Sequence, residues 1–205
     1  LRSIFTEAIN HPDIVALSIG TRPDCLPDEV LNLLDELNKI KPVWIELGLQ
    51  TIHENTAKYI NRGYTLDVFN TAVNNLNKIN VDVIVHLIIG LPFESKEDIL
   101  ESVKYVSSMN ISGIKLQLLH VLKNTPLEKE YSLNKFEVLS MEEYVDIIAE
   151  CLRYIPRNIV IHRLTGDGPK SILVAPLWSG NKKAVLNYMN KRFDELNVIQ
   201  GSLCS

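Results

Sequence analysis

The chain has 205 residues, 46% hydrophobic and 22% charged, a mixture that suits one compact soluble domain with a real core. No apolar run approaches the roughly 20 residues of a membrane span, and Leu1-Arg2-Ser3-Ile4-Phe5 leads into neither the apolar stretch nor the cleavage site of a signal peptide. The net charge of −4 is uneven: residues 1–150 hold 13 Lys/Arg and 22 Asp/Glu, whereas residues 151–205 hold 8 and 3.

The start has a helical pattern and no initiator Met, as expected of a chain lacking its first strands. Strand-length apolar runs then recur at Ile14–Ile19, Val43–Leu47, Val83–Ile89, Ile114–Leu119 and Ile159–Ile161. Helical periodicity separates them. Pro27 to Ile40 places Val30, Leu31, Leu34 and Leu37 on one face, and Thr65 to Ile79 does the same with Leu66, Phe69, Val73 and Leu76. Ser95-Lys96-Glu97-Asp98 and Ser140-Met141-Glu142-Glu143 have the form of helix caps.

Strand and helix in alternation predict right-handed crossovers and a parallel sheet. Continuous apolar strands fit burial on both faces. The expected class is α/β, a partial (β/α) barrel of TIM type, N-terminally truncated. Residues 1–165 form the barrel and 166–205 a C-terminal extension packed on it. A doubly wound open sheet is the alternative, but no G-x-G-x-x-G follows a strand. The short segment His53 to Ile60 is superfluous for a crossover, so it is expected over the C-terminal mouth, where barrel loops build active sites.

Polar residues inside apolar strands carry most information, because burying them costs several kcal/mol (about 2–7) unless they are paired or bind something. Glu46, Gly48 and Gln50 alternate onto one face. Glu46 reads as a ligand contact or as a buried partner of Lys115. His86 precedes the Gly90-Leu91-Pro92 turn, where Gly90 permits close approach of backbone to a ligand. Arg22, in Thr21-Arg22-Pro23-Asp24, suits a bidentate grip on a carboxylate or phosphate. Lys115 raises a Schiff-base lyase as a competing reading, but His120 ends the same strand, where barrel chemistry belongs. His162 and Arg163 end the last strand.

In order and spacing, Glu46-Leu47-Gly48-Leu49-Gln50-Thr51, Asn61-Arg62-Gly63 and His86 to Pro92 resemble the core of radical S-adenosylmethionine enzymes. The nearest branches are the oxygen-independent coproporphyrinogen oxidases and the elongator catalytic subunit. His162-Arg163-Leu164-Thr165-Gly166-Asp167 and Ala175-Pro176-Leu177-Trp178-Ser179 are similar to the YhcC/YtqA subgroup.

The resemblance implies S-adenosylmethionine bound across the strand ends and cleaved to a 5′-deoxyadenosyl radical by a 4Fe–4S cluster. It implies Gln50 and Arg62 as contacts to the methionine and ribose portions, with Glu46, His86 and Gly90 beside them. Arg22, His120, His162 and Arg163 then face the substrate. His86 and Gly20 depart from the ribose-binding Asp and Glu of related enzymes. The C-x-x-x-C-x-x-C motif that holds the cluster is not in this sequence, so its ligands are expected upstream. Cys25, Cys151 and Cys204 are too scattered to replace it. The resemblance further implies a flavodoxin- or ferredoxin-type electron donor and action on the tRNA wobble uridine. A basic C-terminal segment suits such a polyanion, or is an ordinary basic surface. A non-catalytic binding module remains the other reading. The few, widely spaced cysteines point to the cytoplasm.

Overall fold

A computed structural model describes residues 1–166 and 168–204. After α1 (Arg2–Asn10) come β1 (Leu17–Thr21), α2 (Asp28–Asn38), β2 (Val43–Gln50), α3 (Glu54–Tyr59) and α4 (Leu66–Lys78). The chain continues through β3 (Asp82–Ile89), α5 (Lys96–Ser107), β4 (Gly113–Leu118), β5 (Val121–Leu122), α6 (Pro126–Ser132) and α7 (Met141–Tyr154). It ends with β6 (Val160–Arg163), β7 (Leu173–Ala175) and α8 (Lys182–Glu195).

Five strands form one parallel sheet in the order β1-β2-β3-β4-β6. The α/β class and the parallel, barrel-like sheet match the sequence expectation. Among the described residues β1 and β6 are its edges. The sheet is strongly curled. Trp44 on β2 and His162 on β6 bring their rings within 6.3 Å of each other, although two strands lie between them. In a flat sheet at about 4.8 Å per strand those backbones would stand about 14 Å apart.

Alternation divides the strands cleanly. Val43, Ile45, Leu47 and Leu49 of β2, with Val83, Val85, Leu87 and Ile89 of β3, are buried under the helices. The intervening residues line the concave side. Both predicted cap sequences form capping boxes, Ser95 with Asp98 and Ser140 with Glu143. The extension after Thr165 packs on α7: Trp178 lies against Tyr144 and donates to the Leu139 carbonyl at 3.0 Å. Arg192 on α8 grips Asp146 with two hydrogen bonds.

Three elements differ from expectation. The first strand begins at Leu17 rather than Ile14, because pairing with β2 starts there; Val15 is exposed. The antiparallel β5–β7 ribbon and α6 carry too little periodicity to be seen in sequence. Asp167, the last residue of the His162–Asp167 motif, lies outside the described residues.

Candidate functional site

The C-terminal ends of β2, β3 and β4 open into a cavity of about 650 Å³. Its polar lining includes Arg22, Gln50, Asn61, Arg62 and Tyr64, and Ile88, Leu91 and Leu119 are part of its apolar wall. The expected short helix, α3, forms one rim through Tyr59. The Tyr59 hydroxyl is shielded from solvent beside Glu130, and burial and that carboxylate raise its pKa.

Gln50 ends β2 with a φ of 72°, in the left-handed region that a glutamine rarely occupies. The turn breaks the register with β3 between Gly48 and Gln50 and brings the Gln50 side chain back over Gly48. Holding a side chain that way costs on the order of 1 kcal/mol or more, a strain that clusters at ligand sites.

Arg62 holds the mouth together from beneath. Its side chain is 1% exposed. It donates to the carbonyls of Thr51 at 2.6 Å and Tyr64 at 2.9 Å and to Glu54 at 2.9 Å, and it lies over the Tyr64 ring. Three neighbours thus share one guanidinium that still borders the cavity. Arg22 also lies over the Tyr64 ring and covers Gly63. The carboxylate it grips bidentately is that of Asp24 in its own loop, at 2.9 and 2.7 Å, rather than one left for a ligand. That pairing holds the Asp24 carboxyl below the usual carboxylate range.

Gly90 makes the turn after β3 with a φ of 83°, a conformation that side chains rarely adopt, and a Cβ there would lie 2.9 Å from the end of the Leu139 side chain.

The remaining candidates separate into two groups. His120 packs its ring against Gly166 and Gly168, away from the mouth cavity. The concave face gathers the others. Glu46 accepts from Lys115 at 2.6 Å and from Ser18 at 3.0 Å, and His86 Nε2 lies 3.2 Å away. Burial works against the Glu46 charge, but the bonds from Lys115 and Ser18 outweigh it and hold the carboxyl below its ordinary range. Burial and the nearby Lys115 push His86 and His162 the other way, toward the neutral imidazole. Of the two readings of Glu46, the structure shows the pair with Lys115.

No trio of cysteines comes together among the described residues. Cys25 and Cys204 are exposed, and Cys151 is buried in α7 with its thiol pushed up to about 12 by burial. The residues present therefore do not fit a 4Fe–4S cluster. His53, Asp98 and Glu101 do lie close enough for a metal ion, their ligand atoms within 4.8 Å of one another, at the rim between α3 and α5. Sequence reasoning missed Tyr59, Glu54 and Tyr64. Their spacing carries no motif, and only the fold brings them to one cavity.

Comparison with known proteins agrees with this geometry. The sequence model of the Radical SAM superfamily matches residues 2–106, and that of the Radical_SAM C-terminal domain matches 111–195. The chain is 43% identical over 201 residues to YtqA of Bacillus subtilis and 34% identical over 203 residues to YhcC of Escherichia coli. Each alignment covers 98% of the chain but 62% and 65% of those relatives. A tRNA uridine(34) acetyltransferase of Methanocaldococcus jannaschii is 26% identical over 185 residues, covering 86% of the chain and 33% of that relative. The structure of the archaeal Methanocaldococcus infernus Elp3 superposes with a TM-score of 0.75 over 91% of the chain and 43% of its own, at 24% identity.

Proposed function

Because the chain belongs to the radical S-adenosylmethionine superfamily, we propose that its mouth cavity is the S-adenosylmethionine site of an enzyme that modifies the wobble uridine of tRNA. The observation that carries this is the cavity itself. Its volume lies within the range of about 300–1,000 Å³ usual for small-molecule sites, with a few polar groups converging in an apolar wall. S-adenosylmethionine offers a carboxylate, an ammonium, ribose hydroxyls and an adenine ring, and the lining can meet each of them. Gln50 and Arg62 serve the methionine and ribose portions, and Tyr59 supplies a hydroxyl at the rim. Ile88, Leu91 and Leu119 give the adenine an apolar surface.

When bound next to a reduced 4Fe–4S cluster, S-adenosylmethionine supplies a 5′-deoxyadenosyl radical. The chain's own residues do the binding and exclude water; the thiolates for a cluster, expected upstream, and an electron donor of flavodoxin or ferredoxin type complete the enzyme. The tRNA assignment is supported by the uridine-modifying relative and by the excess of basic residues after position 150.

The test uses the full-length protein, purified without oxygen, reduced with dithionite and given S-adenosylmethionine. 5′-Deoxyadenosine is expected, with at least about a tenfold loss on Gln50→Ala, as for removal of a buried polar ligand contact. A cluster-loaded protein that forms none, even with bulk tRNA present, would refute the reading.

A further inference from the structure

The loop after β3 closes with a turn that carries an unusual residue. The Glu94 amide donates to the Leu91 carbonyl at 3.2 Å, with Pro92 second in the turn and Phe93 third, at a φ of 68°. This is the form of a type II turn, whose third position takes glycine or asparagine because other side chains are strained there. Seven non-glycine residues among those described have a positive φ, and five of them are asparagines, which tolerate it. The other two are Gln50, inside the mouth, and Phe93. Strain at residues of this kind clusters at active sites and ligand clamps.

Packing explains little of this choice, because Phe93 is 67% exposed. Its ring meets that of Tyr59 edge to face, at 5.0 Å between centroids and 76° between planes. Tyr59 lines the mouth cavity, so the contact fixes an open aromatic ring at the rim. Two carboxylates beside the pair are already engaged: Glu94 accepts from Thr51 Oγ1 at 2.5 Å, and Glu130 pairs with Lys135 at 2.7 Å. Lys58, next to Tyr59 on α3, is exposed and makes no ion pair among the described residues. With Asn61 and Tyr64, both of which also line the mouth, it borders an adjoining hollow.

We infer that Phe93, steadied by Tyr59, is a stacking platform for an unpaired nucleobase of the RNA substrate, at the rim of the mouth that receives the target base. The inference rests on the reading of the protein as an enzyme that modifies the wobble uridine. That base lies in a single-stranded loop, so once it enters the mouth its neighbour loses a stacking partner. An exposed aromatic ring replaces the partner whatever the neighbouring base, because every base has a π-face. The turn, stiffened by Pro92, presents the ring before the RNA arrives, so little freedom is lost on binding. Lys58 supplies a cation for the phosphate chain.

The experiment titrates the full-length, cluster-loaded protein and its Phe93→Gly and Phe93→Trp variants into a fluorescein-labelled anticodon stem–loop with uridine at the wobble position. Fluorescence anisotropy is the readout, and a fully paired RNA of the same length is the control. Phe93→Gly is expected to weaken stem–loop binding about tenfold, as for the loss of one base–aromatic stack, and Phe93→Trp to keep it within about threefold. Duplex binding should not respond to either change. The urea midpoint of Phe93→Gly should equal or exceed that of the natural protein, since glycine is at ease at a φ of 68°. A phenylalanine that serves packing alone gives the reverse, a lower midpoint with unchanged RNA affinity, and that result overturns the inference. So do equal losses for stem–loop and duplex, or no stem–loop binding by the natural protein. Should Phe93→Gly not fold, Phe93→Asn gives the same comparison, because asparagine also tolerates the turn. S-adenosylmethionine cleavage is measured alongside on the natural protein. No 5′-deoxyadenosine, with stem–loop binding still dependent on Phe93, sinks the mouth reading and leaves the platform standing.

Discussion

The two faces of one sheet obey different rules. On the helix side of β2, Val43, Ile45, Leu47 and Leu49 are wholly buried and interchangeable in kind. On the concave side the same strand carries Trp44, Glu46, Gly48 and Gln50, each with its own partner or gap. Successive residues thus serve packing and chemistry in turn, because a strand sends its side chains alternately to opposite faces. Substitutions on the first face should act on stability, and those on the second on binding.

The largest stability effect should come from the packed face. Leu47→Ala empties a fully buried site and is expected to cost about 3 kcal/mol in denaturant unfolding. A cost below about 1 kcal/mol would mean that the core there is not closed.

Arg62 tests the boundary between the two roles. Removing it leaves the buried Thr51 carbonyl without this donor and takes one of the bonds from Glu54, and should cost about 2 kcal/mol as well as cofactor binding. Arg62→Lys should recover little of either, since one ammonium cannot reproduce the planar fork that reaches several acceptors. Full recovery by lysine would show that only the charge matters.

Gln50 should separate the roles entirely. Gln50→Gly relieves the left-handed backbone, so stability is expected to change by less than about 0.5 kcal/mol or to rise. S-adenosylmethionine affinity, read by calorimetry, should nevertheless fall. Unchanged affinity would remove Gln50 from the site.

The smallest effect is a slope with pH. Burial and Lys115 hold the folded pKa of His86 below its ordinary 6.5. On acidification the unfolded chain takes up the proton first, so this part of the stability is intact above pH 6.5 and is lost as the pH falls from there toward the folded pKa. His86→Gln should flatten unfolding free energy against pH in that window. An unaltered slope would assign the dependence to other groups, His162 foremost among them.

Alternation and helix periodicity are local properties of the chain, which is why so much was legible without coordinates. The strand–helix order, the parallel class, both capping boxes and the placement of α3 at the mouth follow from short-range pattern. Gln50 and Arg62, from two separate motifs, border one cavity. What the sequence could not decide was who pairs with whom. Lys115 is 69 residues from Glu46, and only the curl of the sheet across β3 puts them 2.6 Å apart. Arg22 pairs with Asp24 in its own loop while also bordering the cavity. At Gly90 the Leu139 side chain that would meet a Cβ arrives from a distant segment. Local sequence thus determined which residues could meet. Sheet curvature and register, which sum contributions along the whole chain, decided which ones did.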